Sequence, residues 1–472
     1  MNNRKDKQLL LHALWGLAIA GWLTGCKGIP TDGEKQARHD IQSVNLRYQP
    51  PDQKPPLPTL SAESSLSNFL TFAMLKSPKV EVAYYDWAAS VERITQARSR
   101  PDPQLTYQMD IANIVTSIMP GLMMNFPGPG KLRAGADVAS AQSEAKYFAF
   151  QSAVLESAFE VKRAYYQLHF QTEKIQVNRE TLRLLTDLEA LALSQNEVGK
   201  VTLQDVLRAQ IEQARLKNDI ANLEDSRGPL LAQFKAALGL TATDQAPPIP
   251  QCLESTPQDP AADRLFETAL AQNNRLKGME AEVRAAEASI ALARKARIPD
   301  SSLGLMADVK ASPVFYRPLA TVSLPLWRDK IAAQIAEAQA NKRSAEARLS
   351  NEQIALAVDF VEKNYLYREA SRNLELLQNE LLPRARRSLE VARSGYLAGQ
   401  IDFFNLTDSQ RTLLSFELDK IEASMQRELT LDELSLILQG MSPSTLSTSA
   451  GIATNRGLNS GKSPQSGMNS MR

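Results

Sequence analysis

The sequence repeats itself after about two hundred residues, and this feature constrains the fold more than any other. Residues 198–210 (VGKVTLQDVLRAQ) match residues 398–410 (AGQIDFFNLTDSQ) without a gap, at an offset of 200. Further upstream, Tyr165 matches Tyr365 at the same offset. Solenoid repeats have periods of only about 20 to 50 residues. The much longer period here indicates a duplicated domain rather than an array of small repeats.

The two copies set the expected domain boundaries. Each copy is predicted to contain a helix, two strands, a long helix, a turn and a final helix. The C-terminal tail is rich in Ser, Gly, Asn and Thr, a composition that is typical of disorder. The expected segments are a signal peptide at 1–25, a Pro-rich extension at 26–62, the first repeat at 63–245, a linker at 246–262, the second repeat at 263–440 and a tail at 441–472.

The first 26 residues have the layout of a secretory signal. Arg4, Lys5 and Lys7 precede an apolar run at residues 9–23, which is too short for a comfortable transmembrane helix. The run ends in Leu-Thr-Gly-Cys, which resembles the lipobox of bacterial lipoproteins, where cleavage precedes the cysteine and its thiol is acylated. We therefore predict that Cys26 carries lipid. The alternative is an ordinary signal peptide followed by an incidental cysteine.

Charge and residue usage argue against several classes of function. The formal net charge is +1, and removal of the leader, which carries a net +2, leaves about −1, so nucleic-acid binding is not expected. With Cys26 lipidated, Cys252 has no cysteine with which to form a disulfide. The three histidines lack any plausible metal or catalytic constellation, and no phosphate-binding motif is present. We predict no enzyme activity and no cofactor apart from the covalent lipid.

Four short segments alternate between apolar and polar residues, which predicts amphipathic strands. They are residues 104–111, 122–126, 303–309 and 320–324. Strands of about eight to ten residues are near the length that a tilted strand needs to cross a bilayer, with apolar side chains outward and polar side chains inward.

Helical patterns cover residues 66–98, 131–196 and 330–396. Some 65 residues at 1.5 Å each make a rod of about 100 Å, several times the thickness of a bilayer. Alanine is frequent in the longer helices, and small residues on several faces let neighbouring helices approach on both flanks, as the wall of a cylinder requires. A plain antiparallel coiled coil is the alternative, but the apolar residues spread beyond a single a/d seam.

Four strands are too few to close a barrel. Backbone groups left unpaired in hydrocarbon cost several kcal/mol each, and even small membrane barrels use eight strands or more. We therefore expect a homotrimer with cyclic symmetry, in which three chains supply twelve strands. The predicted fold is an α+β membrane protein, a trimeric twelve-stranded β-barrel continuous with a long α-helical barrel.

The lipidated leader, the doubled order of elements and the turns at Gly199 and Gly399 together resemble the TolC-type outer membrane factors, over about residues 60–440. These proteins are the exit ducts of bacterial efflux pumps and type I secretion systems. The resemblance implies a β-barrel in the Gram-negative outer membrane and a helical tunnel through the periplasm. Lys27 after Cys26 favours the outer membrane over retention at the inner one.

The same resemblance implies a passive duct that exports small molecules, either drugs or metal ions. Its expected partners are a periplasmic adaptor protein, an inner membrane transporter, of which the RND type is the expected class, and outer membrane lipids. Two alternatives stay open: a duct for type I protein secretion, and a structural coiled-coil lipoprotein that has no pore.

The resemblance also places a gate at the tunnel entrance. In TolC-like proteins, a tyrosine and an arginine tie the inner helix turn to an aspartate on the outer turn. The matching positions here are Tyr396, Ile401 and Asp205, so the arginine tie is lost. The two pore-narrowing aspartates of the family match Asn405 and Asp408. A ring of three Asp408 carboxylates predicts a cation-favouring constriction, unless Asp408 is simply a solvated residue in the first turn of a helix.

Apolar residues beside the two turn glycines resemble the tips that adaptor hairpins grip. The simpler alternative is that Gly199 and Gly399 only permit a left-handed turn. The predicted docking residues are Val198, Gly199, Val201, Leu203, Leu397, Ala398, Gly399 and Ile401.

A group of methionines lies in or beside the predicted strands. Thioether sulfur suits soft metal ions, but methionine is also a flexible apolar filler. Because the group falls at least partly on lipid-facing positions, we interpret it as apolar filler. Its members are Met109, Met119, Met123, Met124 and Met306.

Overall fold

The computed structural model describes most of both repeats. Cys26, the expected signal peptide, the tail and most of the expected linker lie outside the described residues. The described ranges are residues 29–45, 56–111, 114–199, 202–249 and 270–438.

The two copies share one order of elements: a strand pair follows a helix, and a long helix, a turn and a further helix follow the strands. This is the order that the internal repeat predicts. The helices are α1 (Asp32–Asn45), α2 (Leu66–Lys76), α3 (Pro78–Arg98), α4 (Lys131–Glu197), α5 (Leu203–Ala237), α6 (Asn274–Lys295), α7 (Arg328–Leu376), α8 (Leu382–Leu397) and α9 (Phe403–Leu438). The strands are β1 (Gln104–Ile111), β2 (Val115–Phe126), β3 (Asp300–Asp308) and β4 (Phe315–Ser323).

The helix expected at residues 66–98 is broken in two. Ser77 takes an extended conformation (φ −65°, ψ 119°) between α2 and α3. The residue before a proline is driven out of the helical region by the proline ring, and proline itself suits the first position of a helix. Pro78 therefore ends one helix and starts the next.

The second long helix contains one π turn, whereas its counterpart α4 is α-helical throughout. A π-helical turn, Leu377–Leu381, separates α7 from α8. Its wider hydrogen bond runs from the N–H of Leu382 to the carbonyl of Leu377, five residues earlier. Pro383 has no N–H to donate, and a local π turn absorbs such a missing bond within a helix. The helical stretch predicted over residues 330–396 is present, and the π turn is a local departure within it.

The four strands form one antiparallel sheet in the order β1-β2-β3-β4. Leu105, Leu122, Leu305 and Pro318 lie directly opposite one another across it. Because opposite residues share a face, this row defines an apolar face. Among the described residues of one chain, β1 and β4 each have one edge without a strand partner.

The other side of the sheet is a polar face, on which Ser302 donates to the side-chain carbonyl of Asn125 at 2.8 Å. The polar face is the more enclosed of the two. Leu105 on the apolar face is 84% exposed, whereas Ser117 on the polar face is 6% exposed and donates to Asp308 at 2.8 Å. The alternation predicted from the sequence is therefore present, with its apolar side outward.

Two strands are longer than the pattern predicts. β2 begins at Val115 rather than at residue 122, and β4 begins at Phe315 rather than at residue 320. In β2, Met119 and Gly121 occupy the polar face and interrupt the contrast between apolar and polar positions.

The chain divides into two compact units. The first unit holds the sheet and the α1 residues up to Ile41. Its buried Glu34 carboxylate accepts hydrogen bonds from Arg38 at 3.2 Å, from Thr95 at 2.7 Å and from Arg98. Burial raises the pKa of Glu34, but these hydrogen bonds outweigh it and the pKa is lowered. The network fixes α1 to α3.

The second unit contains the two helix turns and a large aromatic core. Phe69 packs against Tyr165 and Phe234, with ring centroids 6.0 and 5.5 Å apart. Three residues before Tyr165 on α4, Lys162 donates to the buried Asp432 of α9 at 2.7 Å. Burial raises the pKa of Asp432 despite the lysine. Among the helices of the described ranges, none is long and apolar enough to cross a membrane.

Candidate gate at the helix turns

Two glycines end the helices that lead into the turns. Gly199 has φ +73° and donates its N–H to the carbonyl of Asn196 at 2.9 Å. Gly399 has φ +68° and donates its N–H to the carbonyl of Tyr396 at 3.0 Å. This left-handed conformation is disfavoured for residues with a Cβ and is a common way to end a helix. The two copies therefore turn in the same way.

The helices that leave the turns are capped by aspartates. Thr202 donates to the Asp205 carboxylate from its N–H at 3.3 Å and from its hydroxyl at 3.1 Å. In the other copy, Asp402 accepts the N–H of Asn405 at 2.9 Å. Such caps satisfy donors at a helix start. The Asp205 carboxylate, expected to bind Tyr396, is instead held by its own helix.

Tyr396 is buried, 5% exposed, and its ring packs against Phe403 at 5.6 Å. Its hydroxyl has no hydrogen-bond partner among the described residues. Burial raises the pKa of Tyr396, and the negative charge of Asp205 raises it further. Asp205 is thus close enough to Tyr396 for its charge to act on the hydroxyl, but the hydrogen bond expected between the two side chains is not formed in this structure.

The substitution Tyr396→Phe tests whether this hydroxyl has a partner in the assembled protein. We expect a change between zero and about 1 kcal/mol of stabilisation, because an unpaired buried hydroxyl is removed and the ring remains. Thermal unfolding of the detergent-solubilised protein measures the effect. Tyr396→Ala removes the ring as well and should destabilise by about 3 to 5 kcal/mol, which shows that the assay is sensitive. Destabilisation of more than about 1 kcal/mol by Tyr396→Phe contradicts an unpaired hydroxyl.

The predicted docking residues differ in exposure. Val198, Leu203 and Leu397 are 65%, 61% and 53% exposed, and Gly199, Ala398 and Gly399 are exposed as well. Val201 lies outside the described residues. Ile401 is half-buried and therefore less exposed than the prediction of a docking residue requires. A Cβ on Gly395 would lie 2.6 Å from Cδ1 of Ile401, so this side chain folds back onto α8 instead of projecting from the turn.

The two pore-lining candidates are exposed on the first turns of α9. Asn405 and Asp408 line an open groove of about 440 Å³ between α8 and α9. Arg384 and Arg387 line the same groove from the α8 side. The formal charge of these four side chains is +1, because two arginines accompany one aspartate. Within one chain, the two arginines therefore outweigh the negative charge that Asp408 brings to this groove.

One ion pair that the sequence did not reveal joins α5 to α9. Arg411 donates from Nε to Glu212 at 3.0 Å and from Nη2 to the other carboxylate oxygen. The pKa of Arg411 is raised, chiefly by these hydrogen bonds to Glu212. Nearby, the guanidinium of Arg208 lies 5.8 Å from the ring centre of Phe404. The helix after the first turn is thus connected to the helix after the second by charge and by cation–π contact.

The turns stand on a packed apolar base. Within the described ranges, no three His, Cys, Asp or Glu side chains come together in a way that could hold a metal ion. The apolar cluster beneath the turns includes Leu188 of α4, Val206 of α5, Ala392 of α8 and Phe403 of α9, so it packs four helices together. What the site offers is two exposed apolar tips above a packed and ion-paired base.

Comparison with known sequences gives two findings. The sequence model of the outer membrane efflux protein family matches residues 72–240 and 265–440, which lie within the two repeats. The cobalt-zinc-cadmium resistance protein CzcC of Cupriavidus metallidurans is 25% identical over 246 residues. That alignment covers 50% of this chain and 57% of CzcC, so the match spans little more than half of that relative.

Solved structures share the fold. CusC superimposes with a TM-score of 0.71 at 16% identity, over 81% of this chain and 94% of CusC. VceC of Vibrio cholerae gives 0.67 at 15% identity, over 79% and 95%. The open state of the MtrE outer membrane channel of Neisseria gonorrhoeae gives 0.67 at 15% identity, over 81% and 93%. The fold class predicted from the sequence is confirmed.

Proposed function

Because the chain belongs to the outer membrane efflux protein family, we propose that three copies form a passive exit duct through the outer membrane and the periplasm. The observation that carries this proposal is the unfinished sheet. Its apolar face is exposed, its polar face is partly covered along β2 and β3, and β1 and β4 each leave an edge unpaired within the described chain. Such edges in hydrocarbon must be completed by other strands. Sister chains supply them, and the closed barrel conducts without enzyme activity.

The exposed turns support a docking role at the periplasmic end. Apolar residues such as Val198 and Leu397 stand beside glycines on both turns, and exposed apolar clusters commonly mark binding surfaces. We assign them to a periplasmic adaptor protein, which connects the duct to an inner membrane transporter of the RND type. The metal-resistance name of the CzcC relative favours metal ions over drugs as cargo.

The ion pair between Glu212 and Arg411 supports a gate within each chain. It ties the α4–α5 hairpin to the α8–α9 hairpin near the turns. Widening the entrance requires the hairpins to separate, and this contact opposes their separation. Asp408, Asn405, Tyr396 and Asp205 belong to the same region and would set its width and charge.

We also propose that Cys26 carries a lipid that anchors the chain in the outer membrane. α1 begins six residues after Cys26 and is fixed to α3 by the Glu34 network. Six extended residues span about 20 Å, which limits how far the lipid can lie from this helix. Mass spectrometry of the mature N-terminal peptide tests the assignment, and an unmodified thiol at residue 26 rules it out.

The oligomeric state and the conductance test the function together. The full-length protein extracted in detergent is expected to have the mass of a trimer and to conduct ions in a planar bilayer. A stable monomer contradicts the shared barrel. A trimer without conductance favours the structural coiled-coil lipoprotein, and co-purification with an ATP-binding-cassette exporter favours protein secretion.

Charge reversal at Asp408 is expected to lower the cation preference of the reconstituted channel severalfold. In a trimer the change removes three negative charges and adds three positive ones to a groove that already carries Arg384 and Arg387. Asp408→Lys is compared with Asp419→Lys, which lies eleven residues further along α9 on nearly the same face, about 16 Å away. Reversal-potential measurements report the preference. Equal values for the wild type and Asp408→Lys would place Asp408 outside the conducting path.

A further inference from the structure

The methionines are split between the two faces of the sheet. Met124 lies opposite Leu303 and Met109 lies opposite Ile118, so both belong to the apolar face. Met119 lies opposite Gln108, and it therefore belongs to the polar face. The group therefore lies partly on the apolar face, as predicted, while Met119, Met123 and Met306 lie on the polar face, where apolar filler does not account for them.

Three thioethers surround one glycine on the polar face. Met119 and Met123 lie two residues before and two residues after Gly121 on β2, and Met306 of β3 lies directly opposite Gly121. Positions two apart on a strand are about 7 Å apart, and directly opposite residues are closer. Methionine has three rotatable side-chain bonds and can bridge such separations. The three sulfur atoms can therefore converge above Gly121.

Gly121 makes room for this convergence. A Cβ at this position would lie 2.6 Å from Cγ of Met306 and 2.8 Å from the hydroxyl oxygen of Thr106. The Met306 side chain thus already lies over the glycine, in the space where any other residue would place its side chain. Met119, the neighbour of Gly121 on the same face, is 1% exposed.

The surroundings distinguish the triad from ordinary apolar packing. Its neighbours on the polar face include Gln104, Thr106 and Gln108, which are not the side chains of an apolar core. At one end, the buried Asp308 carboxylate lies two residues from Met306 and supplies negative charge. Arg317, opposite Met306, lies 4.0 Å from that carboxylate.

We propose that Met119, Met123 and Met306 form a three-thioether binding site for a soft monovalent metal ion of the class of Cu⁺ and Ag⁺. Neutral thioether ligands favour soft monovalent ions, whereas Zn²⁺ is bound in proteins by charged thiolate or carboxylate and by imidazole, and harder ions are bound by oxygen. The site is complete within one chain. Its position on the inner wall of a conducting barrel rests on the proposed function.

Silver titration of the full-length trimer in detergent tests the site. The background substitution Cys252→Ser removes the free thiol that lies in the linker, because thiolates bind Ag⁺ strongly. Equilibrium dialysis with elemental analysis should give about one Ag⁺ per chain at this site. Met306→Leu and Met119→Leu are each expected to weaken binding by about tenfold or more, since loss of a ligand costs at least as much as loss of a supporting contact.

Matched controls lie on the other face of the same sheet. Met124→Leu and Met109→Leu should leave Ag⁺ binding unchanged, and Zn²⁺ should not compete. X-ray absorption of the Cu⁺-loaded protein under reducing conditions should show sulfur ligands that are lost in Met306→Leu. Equal Ag⁺ affinity in the wild type and Met306→Leu, or equal losses on the two faces, overturns the proposal.

The leucine variants also separate this proposal from the duct. Met123→Leu provides a third variant if either of the others fails to assemble. Circular dichroism and trimer electrophoresis establish that each variant has folded. A trimer that conducts ions but binds no Ag⁺ contradicts the proposed metal site and supports the proposed duct. A protein that binds Ag⁺ without forming a trimer retains the site and removes the duct.

Discussion

Replacing Gly399 with lysine is expected to abolish export while the trimer still assembles. The position has φ +68°, so a side chain costs about 1 to 2 kcal/mol of backbone strain. A Cβ built there meets no described atom within 4 Å, so no steric clash is added. The lysine instead places a charge between the exposed Leu397 and Ala398, where an adaptor tip would have to desolvate it. The same reasoning applies to Gly199, where φ is +73° and the space is also open.

Two controls separate docking from turn geometry. Gly399→Asn keeps a residue that tolerates the left-handed conformation and adds no charge, so export should be largely retained. Gly228→Lys adds a lysine on the exposed surface of α5, also in open space, and should leave export unchanged. Export assays in cells and crosslinking to the adaptor measure the outcome. Normal export by Gly399→Lys would contradict a docking role for the turn. An equal loss of export in Gly399→Asn would show that the backbone geometry of the turn, and not the added charge, causes the loss.

The substitution Lys162→Met is expected to destabilise the second unit by about 3 to 5 kcal/mol, because it leaves the buried Asp432 carboxylate without its charged partner. The Lys162–Asp432 contact is 2.7 Å long, and the other oxygen of Asp432 has no hydrogen-bond partner in the described part of the chain. Thermal unfolding of the detergent-solubilised protein is the measurement. Asp432→Asn combined with Lys162→Met should recover much of the loss, because no unpaired charge remains.

The pH dependence has a defined sign. Burial raises the pKa of Asp432 in the folded protein above its unfolded value, so the folded state binds this proton more tightly. The free energy of unfolding therefore increases as the pH falls through the raised pKa. In that pH range, the difference in stability between the wild type and Lys162→Met should become smaller. Lys174→Met is the matched control, since Lys174 also joins α4 to α9, through Glu422, which is 53% exposed. Its loss should cost less than about 1 kcal/mol. Equal losses for both lysines at neutral pH contradict the argument from burial.

The features that sequence reasoning predicted well are those with a strong local period. The alternation in β1 and the doubled turn at Gly199 and Gly399 depend on neighbouring residues, so they can be recognised without knowledge of packing. The pattern predicts too late a start for β2 because apolar residues such as Met119 occupy its polar face, and it also misses the first residues of β4. The break at Pro78 and the π turn before Pro383 each follow from a proline, but the residues on both sides keep a helical pattern, so that pattern alone predicts an uninterrupted α-helix.

The contacts of the gate could not be predicted in the same way. Glu212 and Arg411 are separated by 199 residues, and their pairing depends on how two helices are rotated about their axes. No local pattern encodes that rotation. For the same reason, Ile401 was expected at an exposed tip although it folds onto Gly395, and Asp205 was assigned to Tyr396 although it caps its own helix.

The π turn before Pro383 occurs in one copy of the repeat and not in the other. In the proposed trimer, six helical hairpins surround the passage. Hairpins that contain the π turn alternate with hairpins that lack it. The width of the passage can then change through movement of the three hairpins that contain the π turn, while the other three keep their positions. A ring of six identical subunits could not have three moving and three fixed hairpins without losing its symmetry. Duplication within one chain builds this difference into the sequence.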